Sequence, residues 1–194
     1  TNQYTEGDIV VNIGSDVNAG FRYASGQIDG GRVTAGDVTV NFHGKAVELY
    51  AGAQVWDPGQ EVTYNSITLN FDGNANIVRV AGLVAEGAGM TVANGIVATF
   101  NGGTVTPLSD GSAGIVAGGG IAQGNNAGSR IEISNGVKDY AVELRIANGT
   151  VIKTEVAGGI HVWSSGGKYK NTGNITGGTY VSVSGGATIL NNLY

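Results

Sequence analysis

Apolar side chains recur at every second position in short runs along this chain, and the runs themselves repeat. Ile9, Val11 and Ile13 form one run. Val38, Val40 and Phe42 form the next, followed by Ile67, Leu69 and Phe71, each 29 residues after the last. A fourth copy of the phrase, Ala93 to Phe100, keeps the same spacing. Alternation with period two predicts half-buried strands. Asp-Gly, Asn-Gly and Gly-Gly pairs between the runs predict turns. The sequences Ala46-Val47-Glu48-Leu49-Tyr50 and Asn76-Ile77-Val78-Arg79-Val80 follow the same period, so each 29-residue unit is expected to hold two or three strands. Helical signals are nearly absent: from Val137 to Ala147, Tyr140, Val142, Leu144 and Ile146 alternate and read as a strand.

A fixed period of this length implies that one unit stacks on itself. Such a unit cannot bury its apolar face alone, and stacking places equivalent residues about 4.8 Å apart. The expected fold is all-β: a single-stranded parallel β-helix, or β-solenoid, of roughly seven to nine turns and about 30–45 Å long. Ile9, Val38, Ile67 and Ile96 would form one internal ladder, and Ile13, Phe42, Phe71 and Phe100 another. Asn12, Asn41 and Asn70 point the other way and are expected to bond amide to amide. One domain spans residues 1–194. Within it the 29-residue repeats cover 1–105, an irregular segment covers 106–128 and a shorter period of about 19 residues covers 129–194. In that last part Val156 to Gly167 returns as Ile175 to Gly186. Thr1–Thr5 reads as a cap, and the strand-like Ala187-Thr188-Ile189-Leu190 just before Tyr194 reads as a cut through a longer structure.

Composition narrows the function classes. Of 194 residues 35 are Gly and only 2 are Pro, without the three-residue period of collagen. Charged residues make up 13%, so Asn, Ser, Thr and Gly must cover most of the surface. The net charge of −5 and the absence of a basic cluster argue against nucleic-acid binding. No apolar run is long enough to span a bilayer as a helix. The lack of Cys excludes disulfides and thiolate metal sites, and it fits a chain exported unfolded.

The C-terminal part carries a resemblance. Asn148-Gly149-Thr150-Val151-Ile152, Gly158-Gly159, Val162, Ser165-Gly166-Gly167, Asn171-Thr172, Gly177-Gly178, Val181 and Ser184-Gly185-Gly186-Ala187-Thr188 together resemble the AIDA-type repeat of bacterial autotransporter adhesins. The resemblance covers about residues 148–190. It implies a secreted, non-enzymatic passenger domain at the bacterial cell surface, built as a right-handed parallel β-helix and acting in adhesion and self-association. The implied partners are a protein or glycan surface ligand and further copies of the chain.

Candidate chemistry is sparse. His43 and His161 are the only imidazoles and have no metal-spaced partner, so neither a metal nor any other cofactor is expected. His43 reads as a surface residue. Asp8 and Asp37 are equivalent in the repeat, and paired carboxylates on such a scaffold would permit glycoside chemistry. Ser66 and Gly95 end that series, and turn Asp is the simpler reading, so no catalytic residue is assigned. His161, Trp163, Tyr180 and Trp56 are the expected binding residues, because exposed aromatics stack on sugars or anchor partners. Thr179 and Ser182 give no long threonine array, which argues against an ice-binding face. The expected function is an extracellular adhesin. A filament or surface-layer subunit stacking through its ends and a carbohydrate-active enzyme are the alternatives.

Overall fold

The computed structural model describes residues 3–20, 23–28, 32–55, 59–107, 114–124, 127–163 and 168–194. All regular structure within them is β, in a 17-stranded parallel sheet and a two-stranded one that pairs Gln27–Ile28 with Gln54–Val55. The repeats pair laterally, and their strands line up in columns. The first column runs through Gln3–Thr5, Arg32–Thr34, Glu61–Tyr64, Gly89–Val92, Arg130–Ser134 and Thr172–Thr176. The second runs through Ile9–Ile13, Val38–Phe42, Ile67–Phe71, Ile96–Phe100, Val142–Ile146 and Thr179–Val183.

The expected single-stranded, right-handed parallel β-helix is corrected here. The main sheet is barrel-like and nearly closed, with a second parallel sheet beside it. The physical reason lies at the expected corners. Glu61–Glu86 is one strand of 26 residues that passes straight through the predicted Asp72-Gly73 turn. Where lateral hydrogen bonding continues on both sides of a strand, the backbone bends without leaving the ladder, so faces expected as separate short strands fuse. Register slips by small irregularities, between Gly102 and Thr104 and between Ala117 and Gly120, absorb the unequal repeat lengths.

The main core lies on the inner face of both columns. Ile9 pairs with Val38, Val38 with Ile67, and Ile67 with Ile96, as the repeat predicts. Phe71 and Phe100 stack with centroids 4.4 Å apart at an interplanar angle of 3°, while Phe42 meets Phe71 tilted at 5.6 Å. Tyr64 is also buried, and its hydroxyl accepts the Ala53 backbone N–H at 2.8 Å. On the outer face the Asn ladder forms: Asn41 donates to Asn12, and Asn70 to Asn41, each at 2.8 Å.

The second half pairs over longer intervals than the first. Arg130–Ser134 lies beside Thr172–Thr176, and Val142–Ile146 beside Thr179–Val183. The two copies of the 19-residue phrase do not lie beside one another: Ile160–Val162 pairs with Gly120–Ala122, whereas Thr179–Val183 pairs with Val142–Ile146. The strand Ile115–Gln123, almost wholly buried, lies within the stretch read as irregular. Among the described residues no helix is long and apolar enough to cross a membrane.

Candidate functional site

A second apolar cluster lies on the opposite face of the sheet from the main core. Leu49, Val80, Val116 and Val156 belong to the core. Their next neighbours in sequence, Tyr50, Ala81, Ala117 and Ala157, belong to a separate buried cluster with Val84, Ile115 and Ile121. Adjacent residues of a strand point to opposite faces, so this cluster is built on the outer side. Tyr50 pairs with Ala81, Ala81 with Ala117, and Ala117 with Ala157. Beyond the glycines that follow, Val84 pairs with Ile121 and Ile121 with His161.

These two rows meet because the strands crease toward their outer side at Gly82 and at Gly118-Gly119. A Cβ at Gly82 would stand 2.6 Å from the Gly119 carbonyl, and one at Gly119 would stand 3.0 Å from the Gly159 carbonyl. Only glycine allows backbones this close, and the alanine row leaves the floor of the crease shallow.

Polar and aromatic side chains line both banks. On one, Arg79 Nη1 donates to Glu48 Oε1 at 3.0 Å, with both side chains largely buried. On the other, Gln123 donates to Glu86 Oε1 at 2.7 Å, and the Tyr23 hydroxyl donates to Glu86 Oε2 at 3.0 Å. The Arg79 guanidinium sits 5.2 Å from the centroid of the Trp163 ring and so joins the banks by a cation–π contact. His161 meets Trp163 edge-on at 5.7 Å, and Tyr23 meets Tyr50 at 5.4 Å.

The charge of the crease is acidic. Glu48, Glu86 and Glu155 stand against the single guanidinium of Arg79. Burial, helped by the nearby charge of Glu48, pushes the Tyr50 hydroxyl up to about 12, although its bond with Arg79 opposes this. Burial lowers the pKa of His161, with Glu155 pulling weakly the other way, so the imidazole favours its neutral form.

Of the expected binding residues, His161 and Trp163 come together in this crease. Tyr180 does not join them: it stacks on Tyr140 at 5.2 Å, on the outer face of the second column. Trp56 lies outside the described residues. Tyr23, Glu48, Arg79, Glu86 and Gln123 escaped the sequence reading. Their signal was register: Glu48 pairs with Arg79, and Glu86 with Gln123, across repeats whose spacing is not constant.

The other candidates are absorbed by structure. Asp8 accepts the Asp37 backbone N–H at 2.9 Å, and Asp37 accepts from Ser66 and Asn65 at 2.6 and 2.7 Å. The hydrogen bonds from Ser66 and Asn65 hold the Asp37 carboxyl below its ordinary pKa. A glycosidase acid needs the reverse shift, so this pair is poorly suited to protonate a leaving group. His43 bonds to Asp72 in the next repeat. Among the described residues no group of three His, Cys, Asp or Glu could hold a metal ion.

The outer face also carries an uncharged array. Thr5, Thr34, Thr63 and Thr91 are laterally paired in the first column. In the second, Val10, Thr39, Thr68 and Val97 form one row and Asn12, Asn41, Asn70 and Thr99 the next. No family model, no curated protein and no solved structure matches the chain.

Proposed function

We propose that this chain is a non-enzymatic, extracellular adhesive module that holds a partner surface, or another copy of itself, against its outer face. The observation that carries the reading is the paired second-column array. Over four repeats its two outward rows contain only Val, Thr and Asn, and three of the amides are already bonded to one another. Such a face has no charges to desolvate and little side-chain entropy to lose on contact. The resemblance of residues 148–190 to the AIDA-type repeat supports placing it on a bacterial surface, where a Cys-free, weakly charged chain is well suited.

Beads coated with the chain should aggregate, and the doubly substituted Thr39→Lys/Thr68→Lys chain should not, because like charges would face each other across the contact. Unchanged aggregation by that variant would remove the array from the mechanism. Electron microscopy at rising concentration separates lateral clusters from end-to-end growth. Regular long fibres would favour a filament subunit.

A further inference from the structure

We propose that the outer crease between Arg79 and Trp163 is a binding site for an amino sugar carrying free amines, in the form of a glucosamine oligosaccharide. The site lies along a different stretch of the outer side from the Thr and Asn array and does not depend on it.

Three features converge on this ligand. The first is uncompensated negative charge at an open rim. Glu48 is neutralised by Arg79, but the hydrogen-bond partners of Glu86, Tyr23 and Gln123, are both neutral, and Glu86 is exposed. A carboxylate has about four acceptor positions, so two remain for an incoming ammonium. Glu155 adds a second carboxylate close enough to act on His161, and its hydroxyl partner Tyr194 is also neutral. The second feature is a flat apolar surface beside that charge. Trp163 is half-buried, held by Arg79 on the ring and His161 at its edge. An indole fixed in this way presents its remaining area to the C–H face of a pyranose at little entropic cost. The third is a pair of short hydrogen-bonding groups beside the carboxylate and the indole: the Gln123 amide next to Glu86 and the imidazole of His161 next to Trp163. Such a set suits a ligand with many hydroxyls. An alkylammonium such as a lysine side chain would satisfy the carboxylates and leave the other groups unused.

The ammonium of the bound sugar therefore pairs with Glu86, its ring lies against Trp163, and its hydroxyls bond to Gln123 and His161. The neutral form of His161 keeps the site from gaining a competing positive charge.

The test is a titration of the full chain with a β-1,4-linked glucosamine hexamer, followed by tryptophan fluorescence in a Trp56→Phe background and by calorimetry. A fully N-acetylated hexamer and a hexalysine peptide serve as comparisons. The glucosamine hexamer should bind at least about tenfold more tightly than the acetylated one, and added salt should weaken it. Glu86→Gln should remove most of that preference while leaving the thermal melting curve unchanged, because the residue is exposed. Trp163→Leu should weaken binding of both sugars. Equal binding of the acetylated hexamer, or full retention of the preference in Glu86→Gln, would overturn the proposal. Hexalysine binding as tightly, with the same dependence on Glu86, would assign the crease to a basic protein segment instead. The Thr39→Lys/Thr68→Lys chain should bind the sugar normally, so a failure of the array and a failure of the crease remain distinct.

Discussion

The inner and outer faces of the same strands have been put to opposite uses. Inside, Val38, Ile67, Ile96 and the Phe rings repeat one chemistry in register, so each repeat supports the next. Outside, at the crease, the repeat holds only along the alanine floor: Tyr50 is followed by Ala81, Ala117 and Ala157, while the polar banks change from repeat to repeat, Glu48 giving way to Arg79 and Glu86 to Gln123. Repetition gives stability because identical side chains stack well. A site needs different groups converging on one place, and the crease obtains them by breaking the repeat on one face while keeping it on the other.

Removing Phe71 tests the inner half of this contrast most severely. It lies between two aromatic neighbours and is 2% exposed. Phe71→Ala should cost about 3–5 kcal/mol, since the cavity sits between rings that cannot close it. Chemical denaturation would measure the loss. A cost near 1 kcal/mol would mean that the ladder tolerates a gap, and the contrast between faces would weaken.

On the outer face the largest expected effect is smaller. Arg79→Met keeps the volume of the stem but leaves Glu48 facing a mostly buried site without its cation. Breaking a buried ion pair is worth about 3–5 kcal/mol, and the residual exposure of both side chains reduces this to about 2 kcal/mol. Arg79→Met with Glu48→Gln should recover most of the stability. If the single and double variants are equally destabilised, the pair acts through packing on Trp163 and not through charge.

How far the sequence reveals each face follows from the same contrast. The inner ladders, the Phe stack and the Asn ladder were legible, because a constant interval of 29 residues names the partners directly. The closure of the strands into a nearly closed sheet was not, because Asp72-Gly73 is a turn pair yet continues as strand. A dipeptide reports a local preference, and lateral bonding on both sides overrode it. The 19-residue phrase misleads for a related reason: its copies share composition, but Ile160 pairs with Gly120 and Thr179 with Val142. Half of the crease was legible as exposed aromatics, His161 and Trp163. The charged half was not, since Arg79 and Glu86 reach the site only through a pairing register that changes with each repeat.

Titration of Tyr50 separates the faces by pH. Its hydroxyl ionises at 10.0 when unperturbed and at about 12 in the crease. The neutral form is favoured in the folded chain, so this stabilisation is complete below pH 10 and is lost as pH rises from 10 towards 12. The loss should be of order 2 kcal/mol, because the group is mostly buried. Tyr64, raised by burial in the inner core, adds a slope of the same sign. Tyr50→Phe should therefore flatten part of the alkaline fall in unfolding free energy and leave the Tyr64 part. An unchanged slope would place the whole alkaline effect on the inner face.

The smallest effect expected is the acid limb set by His161. Burial lowers its pKa below the ordinary 6.5, so the unfolded chain takes up a proton before the folded one does. The contribution is complete above pH 6.5 and declines as pH falls from there to the folded value, below which it is constant. Glu155 opposes the shift, so the slope should be shallow. Asp37 acts in a separate and lower window: hydrogen bonds depress its pKa, so its contribution is lost only below about 3.8. Urea unfolding between pH 7 and 5 thus isolates His161, and His161→Gln should remove the slope there while leaving the fall below pH 4 intact. A slope that persists in His161→Gln would uncouple acid sensitivity from the crease.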